Sequence, residues 1–199
     1  MHKSIILASA SQSRRDLITA AGIDHAAVAS DVDEDVIKND AIRQGKDVAT
    51  TALDLAQAKA ERVQQDYPAS LIIGADQMLD LDGRWFDKPA DMDAARKQLS
   101  ALRGRTHTLH SALVLLGPEG LICSHVQPAH LTMRFFSDDF LQFYLAAVGE
   151  KALKSVGGYF LEGMGIQLFD QVDGDFFTIL GLPITPLLAA LRAEGAIAV

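Results

Sequence analysis

Four clusters in this sequence have the residue types and spacing to do chemistry. The first is Ser9-Ala10-Ser11-Gln12-Ser13-Arg14-Arg15. Three hydroxyls and two guanidiniums at a helix start are the donors a phosphate chain wants. The same residues would equally make a capped helix with two solvated arginines. The second is Asp76, directly after the apolar run Leu71-Ile72-Ile73-Gly74-Ala75. A carboxylate where a buried strand emerges can hold a metal or activate water, and open α/β sheets bind ligands at that edge. Its plainer use is to start a turn. The third is Asp31-Val32-Asp33-Glu34-Asp35. Clustered carboxylates suit Mg²⁺ or Mn²⁺, which take oxygen ligands, although such runs are more often solvated acidic loops. The fourth is a pair of lysines, Lys59 and the Lys88 of Asp87-Lys88-Pro89. A residue before proline is held extended and can point in a fixed direction, yet either lysine alone is more often a surface one. The six histidines, His2, His25, His107, His110, His125 and His130, show no metal-ligand spacing.

Elements must position these groups, and the bulk composition bounds them. The 199 residues suit one domain, or two lobes sharing a cleft. Apolar residues make up 49% and charged residues 22%, which is globular usage. The formal net charge of −8 repels nucleic acid polymers and anionic membranes. It still permits a small anion held by local Arg and Lys. Cys123 is the sole cysteine, so there is no disulfide framework and no thiolate metal site. Met1-His2-Lys3-Ser4 leads into an apolar run too short for a signal peptide, and no run approaches a membrane span, so a cytoplasmic protein is expected.

Along the chain, Ile5 to Ser9 reads as a buried strand, Ser11 as an N-cap and Arg14 to Ala21 as helix. Val28 to Val36 reads as irregular. Asp47 caps a long helix whose apolar face is Ala49, Leu53, Ala56, Ala60 and Val63, with Pro68 after its end. Leu71 to Ala75 is a second strand, ending in Asp76. Leu79 to Phe86 alternates around Asp82-Gly83, a type I′ hairpin signal. Asp91 caps a helix through Leu102. Thr106 to Leu116 and Leu121 to Phe135 are strands joined by Gly117-Pro118-Glu119-Gly120. Ser137 starts a helix through Val148, and Ile166 to Val172 is strand-like. Thr185-Pro186 opens the last helix with Pro in its first position, and Gly195 ends it. Strands and helices alternate, so the fold class is α/β with a mixed sheet.

Taken in order, these residues resemble the Maf family. Leu7-Ala8-Ser9-Ala10-Ser11 with Arg14-Arg15 looks like its N-terminal signature, and Val32-Asp33-Glu34 like its acidic motif. Ala58-Lys59-Ala60, Gly74-Ala75-Asp76, Asp87-Lys88-Pro89 and Gly104-Arg105-Thr106-His107 follow. Gly158-Tyr159, Glu162-Gly163 and Gly181-Leu182-Pro183 complete the series. The resemblance covers nearly the whole chain. It implies one domain over residues 1–199, an elongated mixed sheet flanked by helices and related to inosine triphosphate pyrophosphatases, with two lobes around a central cleft. It implies hydrolysis of a nucleoside triphosphate to monophosphate and pyrophosphate with a divalent cation, Mg²⁺ or Mn²⁺, and by analogy a homodimer. Asp76 takes the catalytic acid–base role, and Glu34 with Asp76 holds the metal. Lys59, Lys88 and Arg14 face the triphosphate, with Ser9, Ser11, Ser13 and Arg15 in the same binding loop. Because the family was also linked to septum formation, a non-catalytic nucleotide-binding regulator of cell division is the alternative. A sugar-phosphate phosphatase using the same anion site is a third reading.

The sequence departs from the family pattern at Gln12, usually proline, and at Asp87, usually glycine, which adds negative charge near the phosphates. Gln77 and Glu162 stand where the branch acting on dTTP and UTP has threonine and glutamine, and they look like the 7-methyl-GTP branch. That branch often carries tryptophan where this chain has Ser13. N7-methylation makes guanine cationic, and a glutamate can accept from its N1–H and exocyclic amine. An aromatic ring would complete the recognition by stacking, and Tyr159 and Phe160 are the nearest in sequence to Glu162.

Overall fold

Ile5-Ile6-Leu7-Ala8 and Leu71-Ile72-Ile73-Gly74 lie side by side in parallel, Ile5 opposite Leu71 through to Ala8 opposite Gly74. Both runs are buried on both faces, which is why they read as unbroken apolar stretches. The computed structural model describes residues 4–198. The opening Met1-His2-Lys3 of the leader reading, His2 among them, lies outside the described residues. In chain order the elements are β1 (Ile5–Ala8), α1 (Gln12–Ala20), β2 (Ala26–Ala27), α2 (Glu34–Arg43), α3 (Val48–Asp66), β3 (Leu71–Leu81) and β4 (Arg84–Phe86). There follow α4 (Met92–Leu102), β5 (Thr106–Gly117), β6 (Gly120–Met133), α5 (Asp138–Val148), β7 (Phe169–Asp173), α6 (Phe176–Ile179) and α7 (Ile184–Ala193). The seven strands form one mixed sheet in the order β2-β1-β3-β5-β6-β7, with β4 on β3. Strand β1 runs parallel to β2 and β3, while β4 and β7 pair antiparallel with β3 and β6. The expected α/β class with a mixed sheet is what forms.

The chain divides into two compact units. The first takes the described residues up to Gln77, Ser111–Gln127, and those from Phe176 onward. Its core sits between sheet and helices. Ile5, Leu7, Leu71, Ile73, Leu113 and Leu115 pack with Leu17 and Ile18 of α1 and Leu187 and Leu191 of α7. Helix α3 covers the neighbourhood of Gly74, where a Cβ would stand 2.1 Å from the Ala56 carbonyl oxygen and 2.8 Å from Ala60 Cβ. Only glycine lets helix backbone and strand approach so closely.

The second unit takes Met78–His110 and Pro128–Asp175. The β3–β4 hairpin turns at Asp82 (φ 51°) and Gly83 (φ 84°), the paired positive φ that a type I′ turn requires. Helix α4 packs on α5 and on the short 3-10 turns that follow it. Arg103 and Arg134 lie over the Phe136 ring, and Tyr144 is fully buried. Among the described residues no helix is long and apolar enough to cross a membrane.

Local signals place most helix starts. Ser11, Asp47, Asp91 and Ser137 each cap the helix expected of them by accepting from a backbone N–H three residues on. Five expectations need correction. The acidic stretch is not irregular to Val36: α2 starts at Glu34, capped by Asp33. Strand β3 does not stop before Asp76 but continues to Leu81, because Leu79, Asp80 and Leu81 pair with β4. The strand expected over Ile166 to Val172 begins only at Phe169, after a 3-10 turn at Met164–Leu168. Helix α7 begins at Ile184, so Pro186 is third in it, still inside the first turn where a missing N–H costs nothing. The buried face of α3 is also rotated. Ala52, Leu55, Ala56, Lys59, Ala60 and Val63 are buried, whereas Ala49 and Leu53 are half-exposed.

Candidate active site

The turn after β1 folds on its own hydroxyls. Ser9 Oγ accepts from the Ser11 N–H at 3.2 Å and from Arg14 Nη1 at 3.2 Å. Ser11 is the N-cap of α1, accepting from the Arg14 N–H. Two of the three hydroxyls expected to face phosphate therefore also shape the loop, and Ser13 lies in the first turn of α1. Arg14 reaches back from that turn. Its Nη1 donates to the Ala75 carbonyl at 2.9 Å and its Nε to the Gly181 carbonyl at 2.9 Å. These anchors fix the guanidinium plane, and Nη2 has no protein acceptor among the described residues. Burial lowers the affinity of this guanidinium for its proton, and the Asp76 and Glu34 carboxylates oppose that; an arginine stays charged in either case. Arg15 turns outward, donating to the Ala10 carbonyl at 3.1 Å and to Gln12 Oε1 at 2.6 Å.

The acidic run divides its labour. Asp33 accepts from the Val36 N–H at 3.1 Å and caps α2. That cap makes Glu34 the first helical residue and directs its carboxylate at Lys59. The Lys59 Nζ lies 2.7 Å from Glu34 Oε1 and 2.5 Å from Asp76 Oδ1. The Lys59 and Asp76 side chains are 9% and 8% exposed, while that of Glu34 is 42% exposed. Lys38 Nζ stands 3.8 Å from Glu34 Oε2. Glu34, Lys59, Asp76 and Arg14 thus meet in the first unit, where β1 ends beside β3. Two carboxylates and two cations face one another there, and the burial of Lys59 and Asp76 strengthens the attraction between those two. The expectation that Glu34 and Asp76 come together is met in space, with the added feature that Lys59 lies on both of them.

Gln77, expected to choose the base, has its carboxamide nitrogen engaged by the fold. It donates to Ser111 Oγ at 2.8 Å and lies 3.1 and 3.0 Å from the Thr178 and Ile179 carbonyls. Ser111 itself donates to the Thr178 carbonyl at 2.7 Å. This cluster ties α6 and Gly181 to β3 beside Asp76, and so holds the carbonyl that anchors Arg14. The sequence reading missed Ser111. Its signal was a hydroxyl opening the apolar run Ala112-Leu113-Val114-Leu115-Leu116.

Lys88 and Glu162 belong to the second unit. Lys88 is exposed after β4, and Glu162 is exposed in the turn before Gly163. Tyr159 is not available for stacking on a base. It is 3% exposed, meets Phe169 edge-on at 4.9 Å, and bonds His107 Nε2 through its hydroxyl at 2.7 Å. His107 is buried with Nδ1 lacking a partner, and desolvation lowers its pKa to about 4.

The family profile described as Maf-like protein matches residues 4–194. The chain is 48% identical over 195 residues to a protein of Granulibacter bethesdensis named nucleoside triphosphate pyrophosphatase, covering 98% of this chain and 99% of that one. It is 48% identical over 197 residues to the 7-methyl-GTP pyrophosphatase of Mesorhizobium japonicum, covering 99% of each. The 7-methyl-GTP pyrophosphatase of Rhizobium meliloti is 47% identical over 197 residues, again covering 99% of each.

Proposed function

This chain belongs to the Maf-like protein family, and from that premise we propose that it is a nucleoside triphosphate pyrophosphatase. It is a hydrolase acting on acid anhydrides, which cuts between the α- and β-phosphates to release a nucleoside monophosphate and pyrophosphate. The observation that carries the reading is the meeting of Glu34 and Asp76 on Lys59, with Arg14 beside them, where the parallel strands β1 and β3 pair. Ligands of open α/β sheets bind beyond the carboxyl ends of such strands.

Glu34 and Asp76 fit a divalent cation by the chemistry of their donors. Both offer carboxylate oxygens, and among the described residues there is no group of three or more His, Cys, Asp or Glu that would favour a softer or all-protein site. Mg²⁺ and Mn²⁺ suit one or two carboxylates completed by substrate phosphates. When bound there, the ion lowers the pKa of water and offsets phosphate charge.

The chain's own residues do the rest. Asp76 accepts the proton of the water that attacks the α-phosphorus. Lys59, on Oδ1 at 2.5 Å, holds that carboxylate in place before the ion binds. Arg14, fixed by Ala75 and Gly181, presents Nη2 to phosphate oxygens and stabilises the charge that grows on pyrophosphate. On the family resemblance, Lys88 is a further cation for the leaving group, and Ser9, Ser11, Ser13 and Arg15 line the phosphate loop. Anchors that do not move during the reaction cost no reorganisation as charge shifts. Bond cleavage needs no covalent intermediate.

Among nucleotides the reading is 7-methyl-GTP, the substrate in the names of the Mesorhizobium and Rhizobium relatives. Glu162 is the proposed acceptor for the guanine N1–H and exocyclic amine. The test is to incubate the protein with 7-methyl-GTP, GTP, dTTP and UTP, with Mg²⁺ or Mn²⁺, in ¹⁸O-labelled water. Pyrophosphate release with the label in the monophosphate is expected. Orthophosphate as the first product, or binding without turnover, refutes the assignment.

A further inference from the structure

Lys59 is a charged residue almost closed off from water, with 9% of its side chain exposed. An ammonium in that position needs partners that replace its hydration. It has them in Glu34 Oε1 at 2.7 Å and Asp76 Oδ1 at 2.5 Å. These are the same two carboxylates that the pyrophosphatase reading gives to a divalent ion. Two cations on the same oxygens repel, most strongly at the buried Asp76. The stem of lysine is flexible enough to move, whereas its backbone is not: α3 is pressed onto β3 at Gly74, where the Ala56 carbonyl leaves no room for a Cβ.

We propose that Lys59 is the resident counter-cation of the metal site. It offsets part of the charge on Glu34 and Asp76 and holds them together, a divalent ion displaces it from them, and the displaced ammonium turns to the phosphates. A cation thereby stands on the carboxylate pair in both states. This inference rests on the pyrophosphatase reading only for the use to which the ion is put. The competing arrangement keeps Lys59 on Oδ1 and Oε1 while the ion takes the remaining oxygens. There Lys59 would act as an orienting group, and its amine would stay on the carboxylates when the ion binds.

The first measurement is Mn²⁺ binding without nucleotide, read from the electron paramagnetic resonance signal of free Mn²⁺. Lys59→Met is compared with the wild type, and Lys59→Met/Glu34→Gln serves as control. Displacement predicts that Lys59→Met binds Mn²⁺ at least about tenfold more tightly, because the competing charge is gone. The double variant is expected to lose that gain. Mn²⁺ should also raise the melting temperature of Lys59→Met more than that of the wild type, because it relieves two facing carboxylates. Equal or weaker Mn²⁺ binding by Lys59→Met overturns the proposal, and so does absence of binding by both proteins.

The wild type supplies the second test, which separates the two arrangements and needs no variant to fold. Trace acylation followed by mass spectrometry reads the reactivity of Lys59 with and without Mn²⁺ at a concentration where binding has been measured. A rise of several-fold is expected as the amine leaves its carboxylates, and no rise at full occupancy overturns the proposal. A protein that releases no pyrophosphate yet shows the tenfold shift would sink the functional reading and uphold this one.

Discussion

Replacing Asp76 by Asn keeps size and one acceptor oxygen but removes charge and basicity. The structure separates two consequences. Asp76 Oδ1 is 2.5 Å from Lys59 Nζ, and both side chains are buried. Breaking a buried ion pair costs about 3–5 kcal/mol when it strands a charge. Here Lys59 keeps Glu34 Oε1 at 2.7 Å, and an asparagine oxygen can still accept from it. The loss of folding stability should therefore be smaller, about 1–3 kcal/mol. Turnover should suffer more, because a positioned general base contributes about 10²–10⁴-fold, which is about 3–5 kcal/mol of barrier. The assay is kcat/KM by pyrophosphate release, paired with urea unfolding of the same preparation. Expected is a folded protein whose kcat has fallen by at least about a hundredfold. A folded Asp76→Asn variant with turnover within a few-fold of the wild type would refute the acid–base role. A fall in turnover matched by gross unfolding would refute the separation of the two effects.

Three further outcomes follow from the same geometry. Gln77→Ala removes the donor to Ser111, Thr178 and Ile179; it should cost about 1–2 kcal/mol in urea unfolding and slow all nucleotides alike, so a changed base preference at constant stability would restore Gln77 to base selection. Glu162→Gln should raise the barrier for 7-methyl-GTP over that for UTP by about 1.5–3 kcal/mol, if a charged hydrogen bond to the base is lost; an unmoved ratio of the two rates removes Glu162 from the site. His107, with its folded pKa lowered to about 4, is neutral in the native protein and takes up its proton more readily when unfolded. Its contribution to stability is therefore full above the ordinary histidine value and is lost as pH falls toward 4. Wild-type protein should lose about 2–3 kcal/mol more than His107→Gln between pH 8 and pH 4.5, and parallel pH profiles in urea unfolding would contradict this.

What the sequence by itself determined was local. The caps at Ser11, Asp47, Asp91 and Ser137 and the Asp82-Gly83 turn depend on contacts within about one turn of chain, and all are present. The unbroken apolar runs of β1 and β3 announced strands buried on both faces, because only those have no polar face to show. The candidates Arg14, Glu34, Lys59 and Asp76 could be named from residue type and from motifs in a familiar order. Other features were ambiguous in sequence. The acidic run read as metal ligands or a solvated loop, and only the path of α2 made Asp33 a cap. Asp76 looked like a strand end until pairing with β4 carried β3 onward to Leu81. Tyr159 read as a ring that could stack on a ligand, and its contacts with His107 and Phe169 place it in the core. Tertiary structure alone decided who meets whom. The parallel pairing of β1 with β3 places the Ser9 turn beside Asp76, and the close approach of α3 at Gly74 brings Lys59 onto the carboxylates of Asp76 and Glu34. Contacts of that range depend on how whole elements pack, and each element's own sequence is compatible with several packings until the sheet order and the helix faces select one.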